Sequence, residues 1–135
     1  MAHLLTYGSL MFKDVWKRLI QSEYKADRAT ISGYARRCVK GNEYPAVFPA
    51  NESVTGVVYF DISDEDMQIL DTFEGEYYER KTLTASLGNH QSIPVEVYIL
   101  KEQYYHIVDD TLWSELHFAQ EGIKRFIENY KGFTS

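Results

Sequence analysis

Residues 53–62, SVTGVVYFDI, constrain this chain more than any other stretch. They are β-branched and aromatic almost throughout, so they read as a strand. The next residue, Ser63, opens a helix with Asp66 three positions on, a capping box with Asp in place of Glu. Asp64 and Glu65 suit the positive end of that helix, Met67, Leu70 and Phe73 form its inward stripe, and Gly75 stops it. Two further strands follow with no helix between them: YYERKTLTASL, alternating at Leu83, Ala85 and Leu87, then IPVEVYIL across the turn GNHQS. A strand feeding one helix and then a run of strands does not make a repeating βαβ unit. The pattern predicts a mixed α+β domain built on a curled sheet.

The rest of the chain fits that frame. HLLTY reads as a short buried strand, and Phe12, Val15, Trp16, Leu19 and Ile20 carry helical spacing. Residues 29–39 read as a strand interrupted by Gly33. YPAVFPA reads as a separate short extended piece, kept at an edge or in a loop by Pro45 and Pro49. A last helix is predicted over residues 111–130, initiated by Asp109 and Asp110, with Trp113, Leu116, Ile123, Phe126, Ile127 and Tyr130 on its apolar face. At 135 residues, 44% apolar, the chain is read as one domain, 1–135, able to bury a core. Its 11 tyrosines predict a core with polar tips at its edges.

A net charge of −6 argues against a nucleic-acid partner, since phosphates need a basic patch. One cysteine, Cys38, allows neither an internal disulfide nor a thiolate metal site within one chain. His3, His90, His106 and His117 show no metal spacing, and His117, four residues after Trp113, is expected to pack beside it. No signal-peptide pattern or bilayer-length apolar run is present, which points to a cytoplasmic protein without a membrane partner.

The helix over 64–74 ends oddly. Asp71 and Glu74 occupy its last turns, where the helix already carries partial negative charge, and no Lys or Arg falls between Asp61 and Glu79. Helix end, Asp71 on the same face, and desolvation by Phe73, Tyr77 and Tyr78 would all raise the pKa of Glu74. A carboxyl so tuned serves as a general base and then a general acid. The plainer alternative is a surface acid paired with Arg80 or Lys81. At the other end of the chain, YGSL follows the first strand. Its Gly8, Ser9 and Leu10 amides suit an anion or oxyanion at a helix start, unless the turn merely closes that helix. Cys38 reads as a buried inert thiol, Arg80 as a structural ion pair, and Tyr44 as an edge tyrosine or a cavity wall.

In this order, YGSL, YPA at 44–46, GVVYFDIS, LDTFEGEYYER and a terminal KGF resemble the gamma-glutamylcyclotransferase-like superfamily, most closely its avirulence-induced-gene-like branch. The resemblance implies a small mixed or antiparallel β-barrel flanked by helices, with a cavity at one side. It implies that Tyr7, Gly8, Ser9 and Leu10 hold the substrate's glutamyl end, that Glu74 is the acid–base residue, and that Tyr78 contributes to binding. The implied reaction converts a γ-glutamyl amide to 5-oxoproline and a free amine, on a small-molecule substrate, with no metal and no organic cofactor. A rival from another class keeps the fold and pocket but only binds a small metabolite. A third is an interaction domain whose aromatic C-terminal helix covers a partner.

Overall fold

The computed structural model describes residues 2–42 and 44–129. Five strands close into a barrel: β1 (Ala2–Thr6), β2 (Ala26–Cys38), β3 (Pro45–Ile62), β4 (Tyr78–Leu87) and β5 (Ser92–Leu100). Their order around it is β1-β3-β2-β4-β5. All neighbours are antiparallel except β1 and β5, which meet in parallel at Leu4 and Glu96. The barrel is therefore mixed, as the resemblance implied.

Alternation along the strands divides the apolar residues into two sets. Leu5, Ala29, Ile31, Val58, Ala85, Val95, Val97 and Ile99 fill the barrel. Leu4, Ile62, Tyr98 and Leu100 point outward and are covered by helices. Those helices are α1 (Lys13–Leu19), α2 (Asp64–Glu74), and a C-terminal group of α3 (Glu115–His117), a π-helical turn (Phe118–Gly122) and α4 (Ile123–Asn129). In this outer layer Trp16 stacks flat on Tyr59, with centroids 3.7 Å apart. Phe12, Trp113, Phe118 and Phe126 contact one another in an aromatic row.

Several local expectations are corrected. YPAVFPA is not a separate piece: β3 runs unbroken from Pro45 to Ile62. Its first half pairs only with β2, while β1 meets only residues 57–62, so Pro45 and Pro49 lie where one edge is open. Gly33 does not break β2. It sits at positive φ, and Ala50, Asn51 and Glu52 bulge from β3 opposite it. The last helix begins at Glu115, capped by the Ser114 hydroxyl. The Asp109 carboxylate instead accepts from the Thr111 amide in a local turn. Trp113 precedes the helix, and Leu116 is 67% exposed. The π-helical turn shifts the helix's phase, so Phe118, Gly122 and Phe126, four apart, face inward. His117, expected to pack beside Trp113, is exposed and pairs with Glu121. Tyr130 and the KGF segment lie outside the described residues.

The topology positions two loops against each other. β3 runs antiparallel to β1, so α2, which follows β3, starts near the beginning of β1. Its 11 residues advance roughly 16 Å, and the five residues of β1 advance roughly 16 Å. The end of α2 therefore arrives level with the loop after β1. Ser63 caps α2 as predicted, accepting from the Asp66 amide, and Gly75 ends it at φ 78°.

Closure of the barrel depends on Gly56. A Cβ there would lie 2.0 Å from the Thr6 carbonyl oxygen, a backbone atom that cannot move without parting β1 from β3. Gly56→Ala is expected to destabilise the fold by about 3 kcal/mol or more, the upper range for overpacking. Gly88→Ala, at an open position, is expected to be near neutral. Urea melts of both variants test this, and equal midpoints would sink it.

Candidate active site

Where α2 and the loop after β1 meet, a cavity of about 420 Å3, its mouth included, opens at the barrel's side. Thr6, Tyr7, Gly8, Ser9 and Leu10 form one wall, Tyr44 and Pro45 at the start of β3 another, and Phe73, Glu74 and Tyr78 the third. Leu5, Tyr98 and Phe126 complete it. All six residues singled out in the sequence, Glu74 with Tyr7, Gly8, Ser9, Leu10 and Tyr78, thus line one pocket.

Gly8 is required by space. A Cβ there would stand 2.7 Å from Pro45 Cδ. The loop then makes one 3-10 turn, Ser9–Met11, before the seven-residue α1. The helix start expected after this loop is a short turn and a seven-residue helix, so the loop's anion-binding capacity lies in its individual amides. Described backbone bonds leave the Gly8, Ser9 and Leu10 amides out, while the Gly8 and Ser9 carbonyls accept from Met11 and Phe12.

Three tyrosine hydroxyls brace the walls by donating to main-chain carbonyls. Tyr7 reaches Tyr98 at 2.6 Å, Tyr59 reaches Leu10 at 3.1 Å, and Tyr78 reaches Pro45 at 3.2 Å. Burial pushes the Tyr59 phenol up to about 12, so it stays a donor. Tyr78 presents its ring to the cavity while its hydroxyl holds Pro45. Tyr44 is half-buried on the cavity, as one of its two readings expected.

Among the lining residues Glu74 carries the sole charged side chain. Asp71 is held by Arg80 at 2.9 and 3.3 Å and by the Tyr98 hydroxyl at 2.7 Å. Arg80 also binds Glu96 at 2.8 Å, and Lys81 pairs with Glu79. Both candidate cations are therefore engaged elsewhere, and among the described residues none pairs with Glu74. Its carboxyl makes no described hydrogen bond, yet no described buried side-chain oxygen lacks a partner. Its oxygens therefore face the cavity space. The residue keeps part of its surface exposed, and it shares the cavity lining with Phe73, Tyr78 and Tyr98. Burial, first, and Asp71, second, push its pKa up to about 8. Tyr77, expected to desolvate it, instead packs on Tyr104 at the surface.

The remaining candidates fall outside the pocket. Cys38 is half-buried, not fully buried, at the far end of β2. Arg80 is structural, bridging α2 to the sheet. No group of histidine, cysteine or acidic residues arranged to hold a metal occurs among the described residues. No described helix is long and apolar enough to cross a membrane. Sequence reasoning did not find Tyr98 or Phe126 as lining residues. Tyr98 lay hidden in an apolar strand, and Phe126 was read as helix packing.

The comparisons with known proteins agree with this architecture. Residues 4–115 match the family model described as "Gamma-glutamyl cyclotransferase, AIG2-like". AIG2-like protein D of Arabidopsis thaliana is 30% identical over 137 residues, covering 96% of this chain and 89% of the relative. The solution structure of an Arabidopsis thaliana protein superposes with a TM-score of 0.73 at 26% identity, covering 96% of this chain and 88% of that one. A structure of a gamma-glutamyl cyclotransferase shares the fold, with a TM-score of 0.63 at 16% identity over 74% of this chain and 66% of that one. The chain belongs to the AIG2-like gamma-glutamyl cyclotransferase family.

Proposed function

We propose that the chain is a cytosolic gamma-glutamyl cyclotransferase that releases a free amine from a small γ-glutamyl amide and forms 5-oxoproline, without a cofactor. The observation that carries this reading is the Glu74 carboxyl, which pairs with no described residue and lines the same cavity as Gly8, Ser9 and Leu10. No Lys, Arg or His lines that cavity among the described residues, so a substrate carboxylate or an oxyanion would be held by those amides.

The chemistry then balances within one molecule. Glu74 takes a proton from the substrate's α-amino group, whose nitrogen attacks the γ-carbonyl carbon to form the lactam C–N bond. The tetrahedral oxyanion collapses, the bond to the departing amine breaks, and Glu74 returns the proton to that nitrogen. Nothing is oxidised and no water is consumed. Attack within one substrate carries a large effective molarity, so the pocket has chiefly to hold the reactive rotamer.

The test is 5-oxoproline release from γ-glutamyl amides of amino acids, a polyamine and the lysine side chain, with wild type and Glu74→Gln. The variant is expected to lose activity by about 10²–10⁴-fold, the usual weight of general acid–base catalysis. Equal rates in both proteins would refute the assignment. Saturable binding of these compounds without release would instead support the metabolite-binding reading, because a carboxylate can also simply bind an amine.

The pKa of Glu74 gives two pH predictions. As a base it must be ionised, so kcat/KM is expected to climb with pH along a limb centred near 8. Stability runs the other way. A carboxyl whose pKa is raised on folding binds more protons folded than unfolded, so stability falls as pH rises from about 4.5 to about 8. The Tm of Glu74→Gln relative to wild type is therefore expected to rise between pH 5 and pH 8. A pH-independent difference would mean that Glu74 titrates normally.

A further inference from the structure

Behind the Tyr7–Leu10 loop, outside the ring of cavity-lining residues, lies a cation that the proposed chemistry has not used. Arg36 on β2 donates from one Nη1 to the Tyr7 carbonyl at 2.8 Å and to the Thr55 carbonyl at 3.3 Å. Its guanidinium carbon stands 5.3 Å from the centre of the Trp113 ring. That ring is itself fixed against Phe12 and Phe118. The next residue, Arg37, makes an ordinary ion pair with Glu52 at 2.6 Å, and Arg28 pairs with Glu115. Arg36 has no carboxylate among the described ion pairs. Burial weakens its hold on its proton, and nearby Glu115 only partly offsets this. A half-buried charge spent on carbonyls and a ring is costly unless those contacts serve something.

The contact with Tyr7 falls on a peptide that needs holding. In a trans peptide the C=O of one residue and the N–H of the next point to opposite sides, and no described peptide bond is cis. Gly8 must be glycine because Pro45 leaves no room for a Cβ. Glycine, however, tolerates either sign of φ, so the Tyr7–Gly8 plane could flip and take the Gly8 N–H away from the pocket. Arg36 engages the Tyr7 carbonyl from outside the pocket that Gly8 lines.

We propose that Arg36 is a positioning residue for the substrate loop: its grip on the Tyr7 carbonyl keeps the Gly8 N–H directed into the cavity, ready to bind an anionic group. The charge also polarises that peptide, which strengthens its N–H as a donor. The substrate role rests on the cyclotransferase reading, whereas the peptide orientation does not.

The experiment therefore uses two readouts on wild type, Arg36→Met and Arg36→Lys. One is kcat and KM for 5-oxoproline release from the best γ-glutamyl amide of the panel. The other is the Gly8 amide resonance in a 15N correlation spectrum, which needs no substrate. Arg36→Met is expected to raise KM by about ten- to a hundredfold, as loss of a charged hydrogen bond would, with a smaller change in kcat, and to shift or split the Gly8 amide signal. Arg36→Lys, which keeps the charge but not the fork, is expected to fall between. Wild-type KM with an unmoved Gly8 signal in a folded Arg36→Met would overturn the proposal. A shifted Gly8 signal without turnover by any protein would uphold the positioning and discard the cyclotransferase reading. Glu74-dependent turnover with KM unchanged in both variants would do the opposite. If Arg36→Met does not fold, Arg36→Lys decides on the same criteria.

Discussion

The structure depends on β1 being wedged between β3 and β5. It is five residues long, yet it closes the barrel by pairing antiparallel with one neighbour and parallel with the other. Closure at that seam brings Gly56 against the Thr6 carbonyl, and the chain then leaves the barrel directly into the Tyr7–Leu10 loop. A wider seam would lift that loop from Pro45 and from the end of α2. The cavity is a by-product of closure: three chain segments distant in sequence end at one rim because strand and helix lengths match.

The charges at that rim follow a simple division. Two carboxylates occupy the wrong end of α2, and one arginine serves them unequally. Arg80 and the Tyr98 hydroxyl satisfy Asp71, which anchors α2 to β4 and β5. Glu74, three residues on, receives neither. Its raised pKa therefore comes mainly from removal of water, with the repulsion of a partly neutralised Asp71 added. The compensation stops one carboxylate short, which leaves Glu74 without a counter-ion among the described residues.

Tyrosines do much of the remaining positioning. A buried phenol needs a hydrogen-bond partner, and here Tyr7, Tyr59 and Tyr78 each find a main-chain carbonyl on another segment. These bonds tie the Tyr7–Leu10 loop to β5, β3 to that same loop, and β4 to the start of β3. The expectation of a core with polar tips is thus met in a specific way: the tips are cross-ties around the pocket. The aromatic row from Phe12 to Phe126 closes the outer side and carries Trp113 to its place beside Arg36. Trp113 is buried within the chain and is not an exposed partner surface.

What could be read from residues alone was whatever local chemistry decides. The strand at 53–62, the Ser63 cap, the Gly75 stop and the anomaly at Glu74 each depend on neighbours within a few positions. The YGSL and LDTFEGEYYER motifs added the barrel and the grouping of their residues through resemblance. What the residues did not reveal was set at long range. Pro45 and Pro49 look like strand breakers until one edge of β3 is known to be open. The aspartates at 109–110 look like a helix start until the chain before Ser114 is seen running beside β2. A regular 3.6-residue stripe cannot anticipate a π-helical turn. Nothing local says that Arg36 turns to a carbonyl while the next residue, Arg37, turns to a carboxylate. Sequence determined the elements and the unusual acid. Only tertiary structure decided which charges are neutralised, since that depends on which strands lie side by side when the barrel closes.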